Sequence, residues 1–374
     1  MNNIWDSIVG QEKPKNLLSK IVSSNKIPHA FLFVGPEGVG KYFTAIRFSQ
    51  LLNTETGHEF STDNTVSNKI AHHSEPYIKY ILPLPRGKNE TSSDSPLEKL
   101  SKETLDQIRS DMDAKIKNPY YDIKIQGANF IKISSIREIK RFLAIDFDEI
   151  KYRVILISDA DLMNDEAQNA LLKSLEEPPN GVIFILLTSK KDKLLETIVS
   201  RCWTITFEPL KSHEIVSILV KYFGIDESEA KATALFANGS VYKALEFLKH
   251  EFSLLKSRVI NILRFSLASK YHSAVKEIQP LLSDQSGDTL RLLIQLITFW
   301  FVDVLKNKNQ IDDYFFREDA ETMKKFNLRF TEVNIDNLVE RLGYIEQAIG
   351  NNVNLNILAL NLIFELASLR FNRM

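Results

Sequence analysis

A glycine-rich turn between an apolar run and a helix-like run constrains the fold of this chain more than any other feature. The segment is AFLFVGPEGVGKYFTAIRFSQLLN (30–53). Gly35, Gly40 and Lys41 satisfy the pattern Gly-x-x-x-x-Gly-Lys-[Ser/Thr], in which backbone N–H groups wrap phosphates and the lysine reaches them as a point charge. This order of strand, loop and helix predicts an α/β domain built around a phosphate-binding loop.

The last position of the pattern holds Tyr42, where the pattern requires serine or threonine. A serine hydroxyl lies one bond from Cβ, close enough to the loop to hold Mg²⁺. The tyrosine hydroxyl lies on the far side of a ring and cannot take that place. The loop therefore belongs either to an NTPase with an unusual magnesium shell or to a protein that kept the fold and lost the reaction.

The rest of the chain divides into regions with different patterns of apolar and polar residues. The runs RVILIS (153–158) and VIFILLTS (182–189) are nearly continuous apolar strands, which predicts a mostly parallel sheet covered by helices on both faces. After Pro209 the pattern is helical, with Gly224 and Gly239 as helix stops. We expect three domains: an α/β domain over 1–209, a small helical domain over 210–250 and an all-helical domain over 253–374.

Residues 54–128 interrupt the α/β pattern with stretches rich in Ser, Asn, Pro and charge. We interpret them as an insertion, partly loop and partly a helix around 97–116. His58, His72 and His73 lie in it without a cysteine nearby. We therefore expect surface histidines and no metal site.

Composition and charge exclude several classes of protein. The formal net charge of −1 argues against nucleic-acid binding through bulk charge, and the single cysteine, Cys202, excludes an internal disulfide framework and a multi-cysteine zinc site. The N-terminal residues lack the apolar core of a signal peptide. The most apolar stretch, residues 290–305, is interrupted by Arg291, Gln295 and Asp303, so it predicts a buried helix and no membrane span. We expect a cytoplasmic protein.

An NTPase of this kind needs an acidic pair after a second strand, one carboxylate for Mg²⁺ and one for the attacking water. The strand RVILI is followed by SDAD, which in the usual register places Ser158 at the metal-holding position and Asp159 after it. A register shift of one residue would restore an aspartate. Tyr42 and Ser158 would both weaken binding of the same ion.

Several segments carry a family resemblance. NALLKSLEEPP (169–179), followed by ETIVSRCWTITFEPL (196–210), resembles the clamp-loader branch of the AAA+ ATPases. The segment 8–41 resembles the opening of that family, and FIKISSIREIKRF (130–142) resembles its segment before the acidic strand. The resemblance extends to about residue 250 apart from the insertion, where many relatives carry a four-cysteine zinc module.

This resemblance implies a ring of five related subunits that loads the sliding clamp onto primer–template DNA for bacterial DNA polymerase III. The implied partners are the motor subunits gamma/tau and the subunit delta, with the clamp and DNA reached through the complex and no membrane involved. Residues 253–374 fit the collar domain of the family in type. Their apolar faces, such as LIQLITFWFVDVL and LNILALNLIFELASL, exceed the needs of one small bundle, so we expect an oligomerisation unit.

Motor subunits of this branch resemble one another in keeping Ser/Thr after the loop lysine, an Asp-Glu pair, and an arginine after the Gly-Ser of the lid. This chain has Tyr42, Ser158-Asp159 and Tyr242 at those places, while its Ser-Arg-Cys sequence keeps Arg201, which the family places at a subunit boundary. The resemblance implies that Arg201 acts in trans as an arginine finger, with ATP bound by neighbouring subunits and no cofactor of its own. The degenerate loop residues are Gly35, Gly40, Lys41 and Tyr42. An active ATPase of the gamma/tau type and a small-molecule P-loop kinase remain alternatives.

Overall fold

The computed structural model describes residues 4–54, 65–91, 93–144, 150–250, 252–282, 287–331, 333–349 and 353–370. The chain separates into two compact units. The first comprises Met1–Ala230 with Asn238–Tyr242, and the second comprises Lys231–Ala237 with Lys243–Met374. The division into three domains stays a prediction. Within the described ranges, no helix combines the length and the apolar character needed to cross a membrane.

The first unit is built on a five-stranded parallel sheet with the order β2-β3-β4-β1-β5. The strands are β1 (Ala30–Val34), β2 (Ile78–Ile81), β3 (Arg153–Ile157), β4 (Val182–Thr188) and β5 (Trp203–Thr206). One face contacts Ile136 and Leu171, and on the other face Phe31 meets Phe48 with ring centroids 5.0 Å apart. The predicted α/β class is confirmed, and the burial of both faces explains why β3 and β4 read as continuous apolar runs.

The helices of this unit begin and end largely at polar or glycine residues. They are α1 (Glu12–Ser23), α2 (Lys41–Leu52), α3 (Thr65–Ala71), α4 (Lys102–Lys117), α5 (Ile133–Leu143), α6 (Asp165–Glu176), α7 (Glu196–Val199) and α8 (Ser212–Phe223). The side chain of Asn164 caps α6 by accepting a hydrogen bond from the backbone N–H of Ala167 at 2.9 Å. Gly224, in the left-handed conformation, ends α8 as the sequence predicts.

The insertion contains an edge strand that the sequence analysis did not predict. Residues 78–81 pair in parallel with β3, from Ile78↔Val154 to Ile81↔Ile157. The strand has four residues, two of them polar, and so short a run gives no clear periodicity. The predicted helix is present but begins at Lys102, because Ser101 caps it by accepting from the backbone N–H of Thr104 at 3.2 Å.

The described part of the second unit is helical, as predicted. Two helices contain residues of both units, α9 (Glu227–Ala234) and α10 (Val241–Lys249). The others are α11 (Phe252–Leu267), α12 (Tyr271–Ile278), α13 (Asp288–Lys308), α14 (Ala320–Arg329), α15 (Ile335–Ala348) and α16 (Leu355–Ser368).

Helix α13 is the predicted buried helix and forms the centre of this core. Its charged Asp303 is fully buried, yet its carboxylate accepts hydrogen bonds from the backbone N–H groups of Phe315 at 3.0 Å and Phe316 at 2.8 Å. A buried carboxylate is tolerated when backbone donors satisfy it. The charge that interrupts the apolar run therefore holds the segment that follows α13.

Candidate functional site

The glycine-rich loop joins β1 to α2 at the carboxyl end of the sheet. Gly38 and Gly40 have φ angles of 70° and 92°, in the left-handed region that glycine adopts most easily. A Cβ added to Gly38 would lie 2.7 Å from the backbone nitrogen of Tyr242, and one added to Gly35 would lie 2.5 Å from the carbonyl oxygen of Phe207. Close packing against both neighbours therefore requires glycine at these positions.

Lys41 is bound to the loop itself. Its Nζ donates to the carbonyl oxygens of Gly35 at 2.5 Å and Pro36 at 2.6 Å. Burial lowers the pKa of Lys41 to about 8, although the nearby carboxylates of Asp159 and Glu37 act in the opposite direction. In a phosphate-binding loop the lysine donates to phosphate oxygens, whereas here the carbonyl groups of the loop accept those hydrogen bonds.

The hydroxyl of Tyr42 is engaged by a histidine side chain. It forms a 2.8 Å hydrogen bond with His73 Nε2, and the two rings meet edge to face. Burial raises the pKa of Tyr42 well above its ordinary value and lowers the pKa of His73 to about 4, so both groups are neutral near pH 7. A neutral phenol held by a neutral imidazole is a poor ligand for a hard cation.

The expectation of three surface histidines is wrong for His73. It is half-buried, has a φ of 53°, and lies with its ring centroid 4.4 Å from that of Tyr80. His72 is exposed as expected, and His58 lies outside the described residues. The sequence gives no sign of the His73 contacts, because they join positions 31 and 7 residues away along the chain.

Lys115, on helix α4 of the insertion, is a site residue that the sequence analysis missed. Its Nζ lies 4.8 Å from the ring centroid of Tyr42 and 5.9 Å from that of Tyr242. It donates to the hydroxyl of Tyr242 at 3.3 Å and to the carbonyl oxygen of Tyr121. Burial lowers the pKa of Lys115 to about 8. A lysine on an amphipathic helix is normally interpreted as solvated, so no sequence pattern marks it.

Ser158 and Asp159 follow β3 and line the same cavity as Lys115. The backbone N–H of Ser158 donates to the carbonyl oxygen of Ile81 at 3.0 Å. Burial raises the pKa of Asp159 to about 6, and the nearby carboxylates of Asp161 and Glu37 add to the shift. The cavity has a volume of about 310 Å³. Its walls include these predicted positions: Gly40, Lys41, Tyr42, Ser158, Asp159 and Tyr242.

These side chains do not fit a magnesium–nucleotide site. Mg²⁺ requires near-octahedral oxygen ligands at about 2.0–2.1 Å. The Tyr42 hydroxyl is bonded to His73, the Lys115 ammonium lies beside both tyrosines, and Ser158 occupies the metal-holding position in the usual register. Within the described ranges, no group of three or more His, Cys, Asp or Glu side chains could hold a metal ion.

Arg201 lies outside this cavity, in the turn between α7 and the edge strand β5. Its Nη1 donates to the carbonyl oxygen of Thr197 at 2.9 Å, and its Nη2 lies 2.7 Å from Glu176 Oε1. The Arg201 side chain is 35% exposed. Cys202 is buried, and burial raises the pKa of its thiol to about 12, which makes the thiol unreactive.

Comparison with known proteins places residues 10–211 in a family described as DNA polymerase III, delta subunit. DNA polymerase III subunit tau of Bacillus subtilis (strain 168) is 27% identical over 326 residues, covering 81% of this chain and 50% of the relative. Subunit delta' of the same organism is 26% identical over 218 residues, covering 57% and 65%. Subunit gamma of Buchnera aphidicola subsp. Schizaphis graminum is 30% identical over 260 residues, covering 68% and 60%.

A solved gamma subunit-related protein from Thermotoga maritima aligns over 96% of this chain and 100% of its own, with a TM-score of 0.41 and 14% identity. The chain spans about half the length of the tau relative. The family match, in contrast, extends over more than half of the 374 residues. The chain belongs to the DNA polymerase III delta-subunit family of clamp-loader proteins.

Proposed function

We propose that this chain is a clamp-loader subunit of the delta prime type. It binds no ATP of its own and presents Arg201 to the ATP of a neighbouring subunit while the sliding clamp is loaded onto primed DNA. It would thus be a cytoplasmic component of the DNA polymerase III holoenzyme, without intrinsic ATPase activity. Relatives named tau, gamma and delta' match at similar identity, so the proposal rests on the site itself.

The arrangement of Lys115 between Tyr42 and Tyr242 carries the proposal. Two of the positions at which motor subunits contact nucleotide or its magnesium are tyrosines, and an ammonium from the insertion lies between them. Neither tyrosine offers the hydroxyl or the guanidinium that motor subunits carry at its position. Magnesium-dependent nucleotide binding would therefore lack both of these contacts.

The partial exposure and the charge of Arg201 suit an arginine finger. Its guanidinium is partly exposed and is paired in the isolated chain with Glu176, a half-exposed carboxylate. Exposed ion pairs contribute about 0–1 kcal/mol, so Arg201 can exchange Glu176 for phosphate oxygens at little cost. Arginine suits this role because it is always charged and its planar fork matches phosphate oxygens.

The surface of α16 supports assembly with the subunits gamma/tau and delta. Ile357, Leu360 and Phe364 recur on one face of this helix and are 55%, 41% and 53% exposed. The expectation of a second surplus face on α13 is wrong, because its large apolar side chains pack inside the bundle. The α16 stripe, defined by these three residues, is the candidate collar contact.

The proposal is tested by replacing the loop lysine in the assembled loader. Lys41→Ala should leave the rate of clamp loading within about twofold of the wild-type rate, because in our account the Lys41 ammonium contacts no nucleotide. Alanine at the corresponding loop lysine of the motor subunit serves as the control and should abolish loading. A large loss of loading in Lys41→Ala, with intact assembly, would favour an active ATPase of the gamma/tau type.

A further inference from the structure

The second unit contains an apolar cavity with a basic rim that the proposed function does not use. Its volume is about 380 Å³, and it is formed by side chains of α11, α13 and α14 together with Arg370. Ligand pockets in proteins are typically 300–1,000 Å³, with mainly apolar walls and a few polar groups that fix orientation. The size suits one bulky side chain and the backbone that carries it.

The floor of this cavity is aromatic and well packed. Trp300, Phe326 and Phe330 are 2%, 6% and 8% exposed. The rings of Trp300 and Phe326 are nearly perpendicular with centroids 5.3 Å apart, and Phe326 stacks on Phe330 at 4.7 Å. Such mutual contacts fix the side-chain rotamers, so the floor is a preformed apolar surface.

The rim concentrates positive charge. Four basic side chains line the cavity, Arg264, Lys325, Arg329 and Arg370, and no acidic side chain is among its described lining residues. The net charge of the chain is −1, so this excess is local. Arg370 is oriented by donating from Nη1 to Ser269 Oγ at 2.5 Å, while Arg264 and Lys325 are exposed.

We propose that this cavity binds a short acidic peptide segment of a partner protein. An aromatic or large aliphatic side chain of the segment occupies the apolar floor, and flanking carboxylates contact the four basic groups. Charge-assisted hydrogen bonds between guanidinium and carboxylate groups are about twice as strong as neutral ones. This inference concerns the second unit alone and does not depend on the delta prime assignment.

Single-stranded nucleic acid is the competing ligand, since it also combines anionic groups with flat rings. Proteins that bind it stack bases on exposed aromatic side chains along a groove. Here the aromatic rings are at most 8% exposed and lie at the base of a confined cavity. A side chain that enters end-on fits this shape better than a row of stacked bases.

The test measures binding of a fluorescein-labelled peptide, Gly-Asp-Asp-Phe-Glu-Asp, to the full chain by fluorescence anisotropy. We expect saturable binding that weakens with salt and falls at least tenfold in Lys325→Glu. Lys324→Glu is the matched control, because Lys324 lies next to it on α14, is exposed, and pairs with Glu321 at 3.4 Å outside the cavity. That control should bind within about twofold of the wild type. Replacing the peptide's phenylalanine with alanine should also weaken binding at least tenfold.

Three outcomes would overturn the proposal. The first is no saturable peptide binding at millimolar peptide. The second is an equal loss in Lys325→Glu and Lys324→Glu, which would indicate general charge attraction. The third is tighter, Lys325-dependent binding of oligo-dT than of the peptide, which would assign the cavity to single-stranded DNA.

Discussion

Lys115 holds an ammonium group in a buried place between the rings of Tyr42 and Tyr242. Its burial lowers the pKa to about 8, below the ordinary value of 10.5. Between these two pH values the Lys115 side chain keeps its proton in the unfolded chain and loses it in the folded chain. The free energy of unfolding therefore rises with pH in this window and is lowest, with respect to this group, below pH 8.

We predict that Lys115→Met reduces this pH dependence. In urea denaturation, Lys115 should raise the free energy of unfolding of the wild type from pH 8 to about 9, below the range in which exposed tyrosines ionise, while Cys202, with its pKa raised to about 12, acts in the opposite direction. Lys115→Met should show a clearly smaller rise, although Lys41 contributes in the same direction because its pKa is also lowered to about 8. Lys117→Met, at an exposed position of the same helix, should keep the wild-type slope. Equal slopes in both variants would contradict a buried charge at Lys115.

Arg201 provides a second prediction at this scale. Arg201→Ala should leave folding and assembly intact, because its pair with Glu176 is partly exposed and contributes at most about 1 kcal/mol. In the assembled loader, ATP hydrolysis at one subunit boundary should fall at least about tenfold. Arginine fingers supplied in trans accelerate hydrolysis by roughly 10³–10⁵-fold, so a loss of this size is expected. DNA-stimulated ATP hydrolysis and clamp loading are the readouts. Arg109→Ala, an exposed arginine on α4, is the control.

Wild-type rates of ATP hydrolysis and clamp loading in a fully assembled Arg201→Ala complex would reject the role of Arg201 as an arginine finger. A loss of assembly would instead assign Arg201 a structural role at the boundary. Arg201→Lys separates geometry from charge, because lysine keeps the charge but lacks the planar fork. We expect the lysine variant to recover little of the hydrolysis.

At the scale of helices and strands, the sequence predicted those elements that are determined by a local residue pattern. The strand β1, the loop glycines and α2 form one contiguous segment, and the strands β3 and β4 are long apolar runs. These features follow from neighbours in the chain, so the periodicity and the glycine spacing were sufficient to predict them. The same holds for α13, whose apolar run predicted a buried helix.

In the insertion, the local sequence pattern did not predict the structure. The strand β2 is defined by pairing with β3 more than seventy residues later, and its own four residues give no clear signal. Lys115 and His73 reach the loop only because α4 and the segment after α3 fold back onto it. Contacts between distant segments depend on tertiary packing, which a single sequence does not reveal.

Helix α16 supports a prediction about assembly. The double variant Leu360→Asp with Phe364→Asp should prevent co-purification with gamma/tau and delta, because it places two charges in the exposed apolar stripe. Both side chains are solvent-exposed in the isolated chain, so its thermal midpoint should change little. Asn361→Asp adds a charge at an exposed neighbouring position and should assemble normally. Full co-purification of the double variant would remove α16 from the collar contact.

At the scale of the whole molecule, the two units contain different candidate functional features. The first contains the sheet, the remodelled loop and Arg201, and the second contains the helices with the α16 stripe and the basic-rimmed cavity. In our proposal the subunit contributes to a ring through its surfaces and one guanidinium, while Tyr42, Lys115 and Tyr242 line the cavity beside its glycine-rich loop. This account depends above all on the absence of magnesium-dependent nucleotide binding by the chain itself.

Equilibrium binding of a fluorescent ATP analogue to the isolated chain, with and without Mg²⁺, tests that claim most directly. The account predicts no magnesium-dependent binding at millimolar nucleotide, and the same result for Lys41→Ala. Weak binding that is independent of Mg²⁺ is compatible with it, since the loop N–H groups can hold an anion. Magnesium-dependent binding with a dissociation constant in the micromolar range, lost in Lys41→Ala, would contradict it.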